Sequence, residues 1–177
     1  MHIDKPNNRK TRIYFIDEVF GSAPEFMDEF APRYKKEVGL PFDVLYHPKT
    51  LKLRVLDKLV EAGVGEINFG IQTGSDIIRN TIYNRPGTNA EILELARDIK
   101  KHNIRIRYDL ILDNDFETKE TLKECINLIL QLPKPVIFNT MSLTHFPNSP
   151  MTALALKKGH IAKEELEDWP TMMRRTT

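Results

Sequence analysis

Glu66-Ile67-Asn68-Phe69-Gly70-Ile71-Gln72 alternates residue by residue, with Asn68, Gly70 and Gln72 on one face and Ile67, Phe69 and Ile71 on the other, so it reads as a β-strand with two unlike sides. That polar, partly small face decides between two architectures. An open doubly wound sheet is covered by helices on both sides and its strands are apolar throughout. A strand with one polar face belongs instead to the wall of a barrel whose interior is wet or holds a ligand. Downstream, a fourth strand from Ile104 to Leu112 repeats the pattern with Arg105, Arg107 and Asp109, and a fifth from Val136 to Leu143 offers Phe138, Thr140, Ser142 and Thr144.

The rest of the chain supplies the alternation such a wall requires. Ile13-Tyr14-Phe15-Ile16 is the first strand, followed by Ser22-x-x-Glu25, a capping box for a helix through Phe26, Phe30 and Tyr34. Phe42 to Tyr46 is the second, followed by a helical stripe of Leu51, Val55, Leu56, Leu59 and Val60 that Gly63 closes. After the third strand come a short helix from Asp76 to Tyr83 and a longer one capped by Thr88-x-x-Glu91, with Ile92, Leu95, Ala96 and Ile99 inward. The fourth strand is followed by a helix from Thr118 to Leu130 with Leu122, Cys125, Ile126 and Ile129 inward, the fifth by one from Met151 to Lys158. Alternating strands and helices imply parallel pairing with right-handed crossovers. A complete eight-stranded barrel takes about 250 residues. Five units in 177 residues make an α/β fold of the parallel-stranded partial (β/α) barrel kind. The expected organisation is a leader over 1–11, the barrel domain over 12–161 and a tail over 162–177.

Composition narrows the function. Twenty-six Lys+Arg against 25 Asp+Glu leave a formal charge of +1, which gives no general field for nucleic acid or an anionic membrane. No apolar run approaches the roughly 20 residues of a membrane span, and the N-terminus has no signal-like core, so the expected location is cytoplasmic. The one cysteine, Cys125, excludes a disulfide framework or a cluster held by several thiolates of this chain. It lies on an apolar helical stripe, where a buried structural thiol is the simpler reading.

In parallel β/α folds ligands bind beyond the carboxyl ends of the strands. Those ends are polar here: Asp17-Glu18, His47, Gln72-Thr73-Gly74-Ser75, Asp113-Asn114-Asp115 and Thr144-His145. Gly70 to Ser75 combines two glycines with small hydroxyls, which lets backbone N–H groups approach an anion or a ribose. It is neither G-x-G-x-x-G nor a phosphate loop, since it lacks the lysine. Arg85, before Pro86-Gly87, is placed to reach back as a carboxylate clamp. Asp113 to Glu124 imitates a calcium loop but has Thr118 where the sharp turn needs glycine, so Thr118-Lys119-Glu120-Thr121 reads as the first turn of the helix bearing Leu122 and Ile126. Arg105 and Arg107 read as ion-pair partners of Glu66 and Asp109. His47 and His145 have no Ser or Cys in register, and no catalytic residue or metal ligand set is named.

Taken in order, these segments resemble the radical S-adenosylmethionine superfamily, in the branch that includes tRNA methylthiotransferases, oxygen-independent coproporphyrinogen dehydrogenase and cobalamin-associated enzymes. Ile16-Asp17-Glu18-Val19-Phe20 is similar to that family's Asp-acidic-x-Phe motif. Leu59 to Gln72 is similar to the helix-strand segment ending G-(I/V)-(Q/E)-S, and Thr73-Gly74-Ser75-Asp76 with Asn84-Arg85 to its S-G-S-x…N-R stretch. Tyr108 to Thr118 resembles the strand ending D-N-P-F-E-T, with Asp115 in place of proline. His145 to Pro150, continuing to Gly159-His160-Ile161, is similar to the segment with P-G-T. Leu45 stands where relatives often place a glutamate.

The resemblance implies Gln72, Thr73 and Ser75 beside the adenosyl ribose of S-adenosylmethionine, Arg85 near the methionyl carboxylate and Asp109 near the pocket floor. It also implies a parent that uses a [4Fe–4S] cluster. The family's C-x3-C-x2-C loop is missing, so the expectation is a barrel truncated on its N-terminal side. Such a fragment would be inactive alone and hold neither cofactor. A non-catalytic β/α binding or scaffold module is the alternative, and a metal hydrolase built on Asp17, Asp109 and Asp113 a third. The substrate is not readable. An unpaired edge on the first strand leads to an expected homodimer through that edge.

Overall fold

Residues 11–21 and 23–167 are described by the computed structural model, and within them all pairing is parallel, in one sheet ordered β1-β2-β3-β4-β5. The elements are β1 (Ile13–Tyr14), α1 (Pro24–Glu37), β2 (Phe42–Tyr46), α2 (Leu53–Ala62), β3 (Val64–Gln72), α3 (Asp76–Thr81) and α4 (Asn89–Lys101). They continue as β4 (Arg105–Asp113), α5 (Lys119–Gln131), β5 (Ile137–Ser142), α6 (Pro150–Lys158) and α7 (Lys163–Glu167). Sequence neighbours are spatial neighbours throughout, and the sheet curls into part of a barrel, as expected. The expected leader, apart from Thr11, and residues 168–177 of the expected tail lie outside the described residues; the remainder of that tail includes α7.

The two faces of β3 do what their residues dictate. Ile67, Phe69 and Ile71 are buried on the helix side with Ile106, Tyr108 and Leu110 of β4 and with Leu56, Leu59, Ile92 and Ile99 of α2 and α4. The other face is a charged floor. Arg12 meets Asp43 at 2.6 Å, and Arg107 (2.8 Å) and Arg105 (3.4 Å) share the buried carboxylate of Glu66. β1 is only two residues long, yet Phe15 and Phe20 after it pack on Phe30 of α1 and Phe42 of β2, with ring centroids 4.5 to 6.2 Å apart. Aromatic packing, more than strand pairing, fixes this end of the sheet.

Four details depart from the sequence reading. β5 pairs Asp109 with Asn139, so Asn139 shares the floor, while Phe138 packs on Tyr108 on the helix side. The face expected to carry Phe138, Thr140 and Ser142 is therefore the opposite one. On α5, Leu122 and Ile126 are exposed, and Cys125 and Leu128 are the buried pair. The apolar stripe of that helix is broad, including Leu122, Cys125, Ile126, Leu128, Ile129 and Leu130, and it approaches the end of β3 closely at Gly74, where an added Cβ would overlap the Cα of Cys125. Ser22 lies outside the described residues, and α1 begins after Ala23 with no side-chain cap. Finally, Leu51 is buried but precedes the first turn of α2. The cap at Thr88 forms as expected, and Thr118, read as part of the first turn of α5, is its N-cap. No helix among the described residues is long and apolar enough to cross a membrane.

Candidate functional site

A cavity of about 460 Å³ opens where β2, β3 and β4 end, lined by Glu18, Leu45, His47, Lys49, Asn68, Gly70, Gln72, Asn84, Arg85 and Asp109 among others. It falls within the roughly 300–1,000 Å³ of small-molecule sites. Three of the five expected site residues, Gln72, Arg85 and Asp109, come together here.

Gln72 arrives by way of a bulge. The register between β3 and β4 slips between Gly70 and Gln72, and Gln72 takes φ = 63°. A residue other than glycine is strained in this left-handed region, and such strain collects at ligand sites. Its Oε1 is buried with no partner, as is Oδ1 of Asn68 two residues earlier on the same face. Both are acceptors left for a ligand's donors. Gly70 lies between the two side chains that reach inward: a Cβ there would sit 2.8 Å from Gln72 Nε2 and 3.2 Å from Arg85 Nη1. Its lack of a side chain is what lets the two approach. Arg85 donates to the Gly70 carbonyl at 3.4 Å.

Asp109 accepts a hydrogen bond from Asn139 at 3.1 Å. Burial raises its carboxyl above the usual range, although Asn139, Arg107 and Arg85 pull the other way. Burial, with Arg85 and Arg79 nearby, lowers His47 and favours its neutral form. The cavity lining thus combines a guanidinium, a carboxyl raised by burial, an imidazole lowered by it and two amide side chains whose oxygens lack partners.

Thr73 and Ser75 do not line this cavity. They are 1% and 0% exposed, behind the rim. Thr73 Oγ1 donates to Glu117 Oε1 and accepts from the Ser75 N–H at 3.1 Å, so it stitches the end of β3 to the loop before α5. Burial raises the Glu117 carboxyl. Asn68, Asn84 and Lys49 line the site without having been singled out as binding residues; inward alternation from Gln72 was a usable signal for Asn68. Arg79, buried behind Gln72, was missed altogether. Cys125 is buried against Gly74, and burial pushes its thiol up, away from the reactive thiolate. His145 pairs with Asp115 at 2.8 Å outside the cavity lining. Among the described residues no group of three or more His, Cys, Asp or Glu could hold a metal, so Asp17, Asp109 and Asp113 do not assemble as the hydrolase reading required.

The fold has relatives among solved structures. The cobalamin-dependent S-adenosylmethionine radical enzyme OxsB, solved with aqua-cobalamin and S-adenosylmethionine, superposes with a TM-score of 0.72 at 18% identity, over 88% of this chain and 29% of its own. The radical S-adenosylmethionine methyltransferase TsrM from Kitasatospora setae, solved with cobalamin and a [4Fe–4S] cluster, gives 0.67 at 18% identity, over 83% and 28%. Elp3 from the archaeon Methanocaldococcus infernus gives 0.66 at 12% identity, over 84% and 40%. At these identities the likeness is one of fold, and the chain spans less than half the length of each. No curated protein matches the sequence. The sequence profile of the Radical SAM superfamily, however, matches residues 6–129, well over half of the chain and the whole of the cavity lining, and on that ground the chain belongs to the radical S-adenosylmethionine superfamily.

Proposed function

We propose that this chain is the S-adenosylmethionine-binding wall of a radical enzyme that works in the cytoplasm, its cluster-binding loop lying on another segment of that enzyme. One observation carries the reading: Asn68 and Gln72, each with a buried amide oxygen that has no partner, line the same cavity as Arg85, in a chain of this family. Those groups fit S-adenosylmethionine. Ribose hydroxyls and ammonium protons satisfy the two acceptors, and Arg85 supplies a charge-assisted contact to a carboxylate. Asp109 lies on the floor, where its carboxyl is a hydrogen-bonding group for the ligand. Thr73 and Ser75 serve behind the rim, keeping the end of β3 in place. When bound, S-adenosylmethionine supplies the radical precursor of the family's chemistry.

The donors present do not fit a [4Fe–4S] cluster. The sequence contains one cysteine, and it is packed inside α5 against Gly74; a cluster needs several thiolates. That single observation favours a second reading, a binding or scaffold module that holds its ligand without radical chemistry.

The first reading departs from the expectation of a chain that holds neither cofactor, since the wall itself is proposed to bind S-adenosylmethionine without the cluster. Isothermal titration of the 177-residue chain with S-adenosylmethionine tests it. Wild type binds, and Arg85→Ala loses about 1.5–3 kcal/mol of binding, the worth of a hydrogen bond to a charged group. Affinity unchanged in both Arg85→Ala and Gln72→Ala refutes the assignment. To separate the two readings, the full native gene product is reconstituted anaerobically with iron and sulfide: a visible iron–sulfur absorbance supports the enzyme, and its absence supports the module.

A further inference from the structure

Gln72 and Arg85 come from different segments, the end of β3 and the loop after α3, yet both hang on one side chain. Arg79 is 2% exposed. Its guanidinium donates to the carbonyls of Ile71 (3.5 Å) and Thr73 (2.6 Å), the residues on either side of Gln72. It also donates to Asp76 Oδ1 (2.7 Å), Asn89 Oδ1 (2.6 Å) and, at 3.4 Å, the Gly87 carbonyl, two residues beyond Arg85. Its own carbonyl accepts the Arg85 N–H at 2.9 Å. The planar fork of arginine reaches all of these at once, and no lysine ammonium has that geometry.

We infer that Arg79 is a positioning residue for the ligand cavity, its guanidinium gripping the carbonyls that flank Gln72 and the loop that presents Arg85. The inference rests on the S-adenosylmethionine reading above and adds which residue sets the geometry of that site. A left-handed residue reverts to an extended conformation unless its neighbours over-determine it. Clamping the carbonyls before and after Gln72 does that. The same hydrogen bonds to Asp76 and Asn89 tie the clamp to α3 and the start of α4, so the two cavity segments move as one body.

The test uses the full chain. S-adenosylmethionine is titrated into wild type, Arg79→Lys, Gln72→Gly and the double variant, with Leu128→Ala as a remote core control; Leu128 is 1% exposed and does not line the cavity. Arg79→Lys binds roughly ten- to a hundredfold more weakly, the range seen when a supporting residue is lost, while Leu128→Ala binds as wild type. In the Gln72→Gly background the loss from Arg79→Lys shrinks, because a glycine has no left-handed strain to be held against. An equal fold-loss in both backgrounds, or wild-type affinity in Arg79→Lys, overturns the inference. Should Arg79→Lys not fold, Asn89→Ala removes one acceptor of the same guanidinium and takes its place. Backbone NMR without ligand gives a second readout: in Arg79→Lys the Gln72 shifts leave their left-handed values and the Arg85 amide moves. If wild type binds no S-adenosylmethionine the functional reading fails, and the NMR result alone decides the inference, with unchanged Gln72 and Arg85 resonances overturning it.

Discussion

Replacing Gln72 by glycine should make the protein more stable and its ligand affinity lower. The left-handed backbone at φ = 63° costs a residue with a Cβ about 1–2 kcal/mol, and the desolvated, unpartnered Oε1 costs a further 1–3 kcal/mol or so. Glycine removes both but loses about 0.5–1 kcal/mol more conformational entropy on folding. The net gain is about 1–3 kcal/mol after the lost packing of a half-buried side chain, and each kcal/mol raises Tm by about 2–4 °C in a chain of this size. Gln72→Ala separates the contributions, since it removes the orphaned oxygen and keeps the strain. The expected order of urea midpoints is Gln72→Gly, then Gln72→Ala, then wild type, and the expected order of S-adenosylmethionine affinity is wild type above both. A glycine variant less stable than the alanine variant refutes the claim that this backbone is held under strain.

Three further outcomes follow from other parts of the molecule. Gly74→Ala should lower stability by about 3 kcal/mol in urea unfolding, because the new methyl overlaps backbone of α5, not a side chain that can turn away; a loss under about 1 kcal/mol refutes that contact. Burial holds the Glu117 carboxyl above its ordinary range, so its contribution is fully present below the unfolded value, about 4.3, and is lost as pH rises through the folded value. The non-titrating Glu117→Gln should therefore gain on wild type as melts are taken from pH 4 to pH 7 or so, and a pH-independent difference counts against it. We also propose that copies pair through a sheet edge. The first strand offers only two residues, so the longer, uncharged β5 edge with Met141 exposed is the better candidate. Concentration-dependent dimers in sedimentation equilibrium, abolished by Met141→Lys, support this, and a monomer at all concentrations refutes it.

The alternation of β3 was sufficient to choose a partial barrel over a doubly wound sheet, because polarity on one strand face reports directly what that face meets. Capping at Thr88 was equally legible, being local chemistry over four residues. What failed needed partners distant in sequence. The buried part of α5 could not be read from an apolar stripe this broad; Gly74, some fifty positions upstream, selects Cys125 by contact. The face of β5 depended on its register against β4, which sets Asn139 beside Asp109 and Phe138 beside Tyr108 and which no pattern within the strand announces. Within the site, Gln72, Arg85 and Asp109 were accessible from strand ends and the family resemblance. Thr73 and Ser75 lie behind the rim, sharing the parity of Ile71 and not of Gln72; their position at a strand end and the family resemblance had placed them forward. Arg79 was invisible, since a lone arginine on a short helix reads as solvated until the carbonyls around it are seen.

The close approach of α5 to β3 also gives the protein a built-in clock. Because the sole thiol of the chain is sealed against Gly74, one residue beyond Thr73 and two beyond Gln72, a thiol reagent can reach it only when the helix lifts from the strand. The rate of that labelling counts openings of the wall itself, without any added probe.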